Sequence, residues 1–287
     1  HSRVALWSLH NAEADWTGAW DAVPISSLGT DHPGAPRLED PRLFVDPEDN
    51  LCCAFNLPDG YPPKRVRVGW ARFSPDLKAI VHTEVLPSPQ GNVYEKNWEP
   101  FVDAGELRWT YAGKPQHVVL DAAGAPRWAT PNPLPWTGGV VRGGCPPVPA
   151  YLGPDDPKSP VQPDGEYYAF FHGCLKRTAG NVYTIGCYTF EARPPYRVTR
   201  MTPTPLAWPD LPAHGEDVVK RYVLFPGGAV PHAGAWHLAV GVDDTFCRIV
   251  RLPFDRVEAA LSAAPENPAA AVHSIRDTPV ALGVRPE

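Results

Sequence analysis

The sequence predicts an all-β fold, a five-bladed β-propeller spanning residues 1–287 as one domain, and three observations predict it. Helical periodicity is scarce. It is confined to FDRVEAALSAA (Phe254 to Ala264), where Phe254, Val257 and Leu261 share a stripe. The rest reads as short apolar runs between clusters of Gly, Pro, Asp and Asn. These runs recur in a fixed order, in four units starting near Glu39, Glu95, Arg142 and Tyr222. A repeat of roughly 50 residues built from three or four antiparallel strands is the signature of propeller blades. The third observation is two β-like ends without a unit of their own, RVALWSLH and AAVHSIRDTPVALG, which are expected to combine into a fifth blade that closes the ring. A β-sandwich is the structural alternative, but it does not explain why polar clusters recur at one phase of each unit.

The first unit is DPRLFVD, NLCCAFN and RVRVGWARF; the second is NWEPFVD, ELRWTYA and QHVVLDA. The third is GGCPPVPA, EYYAFFHG and VYTIGCYTF; the fourth is RYVLFPGGAV, AWHLAVGVDD and FCRIVRLPF. Each has a polar or glycine-rich lead-in, a first strand, a turn, an aromatic-rich second strand and a third strand. The longer third interval carries the insertions LGPDDPKSPVQPDG and TPLAWPDLPAHGED.

Composition supports a folded, loop-rich β protein. Apolar residues make up 43% of the chain, enough for a sizeable core, and ten tryptophans accompany 37 prolines. Disordered proline-rich chains lack such aromatics. A net charge of −6 without clustered Lys and Arg excludes a nucleic-acid footprint. No apolar run is long enough to span a membrane. Six cysteines invite a disulfide reading, but several sit inside strand runs (LCCAF, TIGCYTF, TFCRIV), where a thiol behaves as a small hydrophobe. Reduced thiols and the lack of a signal-like N-terminus lead us to expect a cytoplasmic or intracellular setting. No CxxC occurs, and no metal site is expected.

In a propeller the first strand of each blade lines the central channel, so its starting end opens at one face. The residues at that phase are Glu39, Asp40 and Arg42, then Glu95, Lys96, Asn97 and Trp98, then Arg142; the ends of second strands add His172, Asp243 and Asp244. Acids, cations, an amide, an imidazole and an indole facing one cavity make a poor core and a good polar-substrate site. Sugar chemistry fits: glycosidic cleavage needs a carboxyl as acid and a second group on the opposite face. Each motif also has a structural reading. EDPR can be a capped turn with an internal ion pair, EKNW a solvated turn with a buried indole, His172 a satisfied core histidine, and VDD an Asx-turn closing a hairpin.

The motifs EDPRLF, EKNWEPF, RGGCPP, EYYAFFHG, YTIGCYTFEARPPYRV, VLFPGGAV and VGVDDT occur in an order that resembles glycoside hydrolase family 130, the mannoside phosphorylases and β-mannosidases, and the glycosyltransferase-like proteins related to them. The resemblance runs from Glu39 to Phe254. It implies a five-bladed catalytic propeller acting on glycosides with inversion. It implies that Asp40 is the general acid and that Asp244 holds the sugar next to the scissile bond. Arg42, Arg142, His172 and Lys96 become candidates for holding phosphate, although EKNW replaces a different basic motif of the phosphorylases. Water, in a hydrolase, would be activated by Glu95 or Glu39. Three functions compete: an inverting phosphorylase or hydrolase, a glycosyltransferase using a nucleotide sugar or sugar phosphate, and a non-catalytic sugar-binding propeller. The partner in every case is a carbohydrate. No cofactor is expected, with phosphate or a nucleotide sugar taking part only as co-substrate. The sequence gives no oligomeric state.

Overall fold

A computed structural model of the chain describes residues 6–9, 20–23, 38–59, 62–150, 165–178, 180–206, 223–244, 246–263 and 273–274. Strands β1 (Leu6–Leu9) and β2 (Trp20–Val23) form an antiparallel pair. The first blade holds β3 (Glu39–Val45), β4 (Leu51–Pro58), β5 (Val66–Phe73) and β6 (Ile80–Val85) in sequence order. The second holds β7 (Glu99–Asp103), β8 (Glu106–Ala112), β9 (Gln116–Leu120) and β10 (Pro126–Pro131). In the third, β11 (Val140–Arg142) and β12 (Val148–Pro149) together form the inner edge against β13 (Glu166–Arg177), followed by β14 (Gly180–Glu191) and β15 (Val198–Met201). The fourth holds β16 (Leu224–His232), β17 (Ala235–Val242) and β18 (Phe246–Pro253), and leads into the helix α1 (Phe254–Ala260). Two short strands return to earlier blades: β19 (Ser262–Ala263) beside β15, and β20 (His273–Ser274) beside β10.

The fold is an all-β propeller, but among the described residues it has four blades rather than the expected five. Among the described residues β1 and β2 pair only with each other, and the C-terminal β20 extends the outer edge of the second blade instead of meeting an N-terminal strand. Apolar alternation identifies a strand; it does not identify the partner. Most of both ends, most of the two insertions, and the first residues of the fourth unit, Arg221 and Tyr222, lie outside the described residues. The helix appears where periodicity places it, ending earlier, at Ala260, with Val257 fully buried and Phe254 and Leu261 packed on the same cluster.

Blades are joined face to face by apolar clusters. Phe44 and Trp70 of the first blade meet Trp98, Trp109 and Leu120 of the second. Phe101 and Val119 of the second meet Phe171, Tyr188 and Phe190 of the third. Phe170 and Ile185 of the third meet Trp236, Leu238 and Val240 of the fourth. A buried aromatic ring removes about 150–250 Å² from water, roughly 4–6 kcal/mol of gross transfer energy as an upper bound. The strand pleat sends neighbours to opposite faces. Cys52 accordingly lies in the cluster shared with the second blade, while Cys53 lies on the other face with Phe55 and Phe73. All six cysteines are free thiols, five buried and Cys247 exposed.

Candidate functional site

The first strands of three blades meet, β3 touching both β7 and β16, and β16 also touches β13 of the third blade. Their starting ends carry the polar cluster. At the start of β3 the register against β4 jumps between Glu39 and Arg42, so Asp40 and Pro41 form a bulge. Asp40 has φ +53°, a left-handed backbone that Asp tolerates better than most residues. Bulges re-aim side chains beside functional sites. Here the Asp40 carboxylate is half-buried and accepts from Asn56 Nδ2 at 2.8 Å. Asn97 sits just before β7 with φ +64°. Asn56 ties the starts of β3 and β7 together: its Oδ1 accepts from the Asn97 backbone N–H at 3.2 Å and its Nδ2 lies 3.5 Å from Asn97 Oδ1.

Arg42 is only 1% exposed. Its Nε donates to Gly144 O at 2.6 Å, its Nη1 to the Asp40 backbone O at 2.8 Å, and its Nη2 to Asn97 Oδ1 at 3.0 Å. The Phe225 ring lies 5.2 Å from the guanidinium carbon. The expectation that Arg42 grips substrate is therefore corrected. Its donors point at protein acceptors on three blades, and the planar fork serves as an internal strut. Burial pulls its pKa down, opposed by the negative charges of Asp40 and Glu99.

Glu99, the first residue of β7, is buried behind this strut. One carboxylate oxygen accepts from the Gly144 N–H and the other from the Thr110 hydroxyl. Burial pushes its pKa up to about 7, while Thr110, Gly144 and the Arg42 charge pull it down. The Gly143–Gly144 pair is what lets the third blade come this close. A Cβ on Gly143 would lie 1.9 Å from Asn97 O, and one on Gly144 2.3 Å from Phe170 O.

His172 pairs in register with Arg142. Its Nδ1 lies 3.0 Å from Gly143 O; donation to that carbonyl leaves Nε2 as the acceptor nitrogen of a neutral ring. Burial lowers its pKa to about 3, helped by the positive charges of Arg42, Arg142 and Lys96. Phe225 packs 4.9 Å from the His172 ring. Arg142 is half-buried and Lys96 exposed, so two cations approach a neutral imidazole from the solvent side.

Four expected site residues are thus brought together: Asp40, Arg42, Asn97 and His172, with the fields of Arg142 and Lys96 reaching them. Others are not. Trp98 is 1% exposed, inside the cluster between the first two blades and against Tyr111, so its faces are closed to a sugar. Glu95, expected to activate water, is buried and accepts from Ser88 Oγ at 2.6 Å, Trp98 Nε1 at 3.3 Å and Tyr111 OH at 3.4 Å; it closes the loop between blades. Asp243 is buried; its Oδ1 accepts the Val223 N–H at 2.9 Å and its own N–H donates to Val223 O at 2.8 Å, so it fastens the end of β17 to the start of β16. Asp244 follows it, exposed, with φ +53°, at the blade end that also presents Phe225. Glu39 is exposed at the mouth. No group of acids, His and Cys among the described residues is arranged to hold a metal. No helix there is long and apolar enough to cross a membrane.

Two important residues escaped sequence reasoning, Asn56 and Glu99. Asn56 ends an apolar run and looks like a turn residue. Glu99 is enclosed by Trp98, Pro100 and Phe101, and a charged residue inside such a run was the signal that could have found it. A larger groove, about 1050 Å³, lies at the opposite end of the first two blades. Its charges are paired on the spot, Arg72 with Asp46 at 2.8 Å and Arg127 with Asp121 at 2.7 Å.

No family model matches the chain, and no curated protein matches its sequence. Its fold does match solved structures. A β-1,2-mannobiose phosphorylase from Listeria innocua, solved with β-1,2-mannobiose, gives a TM-score of 0.53 at 17% identity, covering 85% of this chain and 66% of that one. A glycosyl hydrolase from Bacteroides ovatus gives 0.54 at 16% identity, covering 88% and 75%. A structure described with the GH130 mannoside phosphorylases, a family said there to contain hydrolases targeting β-1,2-mannosidic linkages in Candida mannan, gives 0.55 at 16%, covering 94% and 78%. The chain spans just under two thirds of the length of the Listeria phosphorylase. At these identities the shared property is the fold, and this chain is similar in fold to the propellers of glycoside hydrolase family 130.

Proposed function

We propose that the chain, with residues 1–287 acting as one catalytic unit, cleaves or forms a glycosidic bond at the mouth of the propeller, with Asp40 as the proton-transfer group. One observation carries this reading: Asp40 is a half-buried carboxylate on a left-handed bulge, held by Asn56 and two residues from Arg42, whose contacts reach the other three blades. Strained backbone at a cleft points to function more often than strain elsewhere. The fold shared with mannoside phosphorylases and hydrolases supports a glycoside substrate; a β-mannoside as first choice and inversion as the stereochemical course are what the motif resemblance implies. Free thiols speak for a reducing, intracellular compartment.

Arg142 and Lys96 around neutral His172 favour an anionic co-substrate. Phosphorolysis is therefore the preferred reaction, and transfer from a sugar phosphate or nucleotide sugar is the second reading. Incubation of the chain with manno-oligosaccharides, with and without inorganic phosphate, and with nucleotide sugars plus acceptor tests this. Sugar 1-phosphate formed only with phosphate supports phosphorolysis; release in plain buffer supports hydrolysis. Nucleotide-sugar consumption selects the transferase. Saccharide binding without turnover, under all conditions, overturns the enzymatic reading.

A further inference from the structure

We infer that Glu99 is a positioning residue of this site, holding the Asp40 bulge through Gly144 and Arg42 rather than touching substrate. The inference rests on the reading of Asp40 above and adds a residue to it. Gly144 is gripped on both sides of its peptide units, its N–H by Glu99 and its C=O by Arg42. Arg42 in turn holds the backbone carbonyl of Asp40 and the side chain of Asn97. Asn97 shares Asn56 with the Asp40 carboxylate. One continuous chain of contacts therefore leads from a carboxylate on the second blade, over a glycine of the third, to the reacting carboxyl on the first.

The charge on Glu99 matters as well as its shape. A guanidinium this deeply buried needs anions nearby, and Asp40 and Glu99 are the two it has among its strongest electrostatic neighbours. Both hydrogen bonds to Glu99 come from donors, as an ionised carboxylate requires. The groups facing Glu99 are Arg42 from β3, Thr110 from β8, Cys145 from the Gly143–Pro147 turn and Tyr188 from β14. Burial raises the Cys145 thiol and the Tyr188 phenol well above their ordinary values, so both are neutral near pH 7. Glu99 is then the group of this set that changes charge close to neutrality, and Arg42 is the group that registers the change.

The test compares the wild-type chain with Glu99→Gln, which keeps the shape and removes the charge. The first readout is the ¹H–¹⁵N resonance of the Arg42 Nε–H, assigned with Arg42→Lys and followed from pH 5 to 9. A midpoint near 7 in the wild type, absent in Glu99→Gln, is expected. A resonance that does not move, or moves identically in both proteins, overturns the inference. The second readout is turnover of an aryl β-mannoside with inorganic phosphate. Loss of about 10²-fold in kcat, with KM within about threefold, and loss of the limb near pH 7 are expected. A kcat within about twofold of wild type at every pH overturns it. A wild-type chain inactive on all glycosides defeats the reading of Asp40 instead, and the resonance still decides the role of Glu99.

Discussion

Arg42 Nη2 donates to Asn97 Oδ1 at 3.0 Å, and this contact joins the first inner strand to the loop that opens the second. A lysine at position 42 would keep the charge but not the fork. It could not reach Gly144 O, the Asp40 carbonyl and Asn97 Oδ1 together. Arg42→Lys is expected to lower stability by on the order of 3 kcal/mol, since buried acceptors lose charged donors. Urea denaturation measures this, and a loss under 1 kcal/mol would contradict the strut.

Asp40→Asn preserves shape and the contact to Asn56. It is expected to reduce turnover about 10²- to 10⁴-fold, with saccharide binding retained. In a hydrolase or phosphorylase, an aryl glycoside whose leaving group needs no protonation should recover much of the loss. Near wild-type turnover on every active substrate would remove Asp40 from the chemistry.

Stability should depend on pH in two opposite ways. Glu99 is raised by burial from 4.5 to about 7, so its contribution is full below about 4.5 and is lost as pH rises through 7. The difference is on the order of 3 kcal/mol. His172 is lowered from 6.5 to about 3, by burial first and then by Arg42 and Arg142, so its contribution is full above 6.5 and lost as pH falls towards 3. Denaturation of wild type and Glu99→Gln at pH 5 and pH 8 separates them. The wild type should lose stability relative to the variant at pH 8, while both share the acid-side loss. Parallel curves would show that Glu99 does not titrate in this range.

Trp98→Ala should cost about 3–5 kcal/mol through the cavity it leaves between blades. Saccharide affinity per folded molecule should not change. A selective loss of affinity with stability intact would restore the indole as a sugar platform.

Thiol titration should find six groups after denaturation without reductant and one fast group, Cys247, in the native chain. Burial raises Cys52 and Cys53 to about 12, which slows their reaction. Fewer than four groups after denaturation would mean disulfides.

Much of this molecule was legible as a pattern. The four units were readable because their strands are short apolar runs, alternating at the inner strand β3 and continuously buried in central strands such as β4 and β13, and the phase of EDPR and EKNW follows from the inner strand starting at the mouth. The blade count was not readable, because strand partners such as β20 with β10 are set by tertiary docking. Nor was the division between groups that face a ligand and groups that support them. Arg42 and Trp98 look like ligand contacts in sequence. Only a buried guanidinium with three protein acceptors, and an indole closed in by Tyr111, reveal supports. Asp243 and Asp244 illustrate the same ambiguity one residue apart, the first buried and tied to Val223 beside β16, the second exposed.

The spacing of the Arg42 contacts along the chain has a consequence for folding. Its partners lie 2, 55 and 102 residues away, and Phe225 lies further still along the chain. Contacts this distant require large loop closures and form late. A chain with only its first two blades assembled can satisfy the Asp40 and Asn97 contacts but leaves the guanidinium without Gly144 and uncovered by Phe225. The full set of Arg42 contacts is therefore complete only once the third and fourth blades have packed against the first, although Asn56 of the first blade can hold the Asp40 carboxylate earlier.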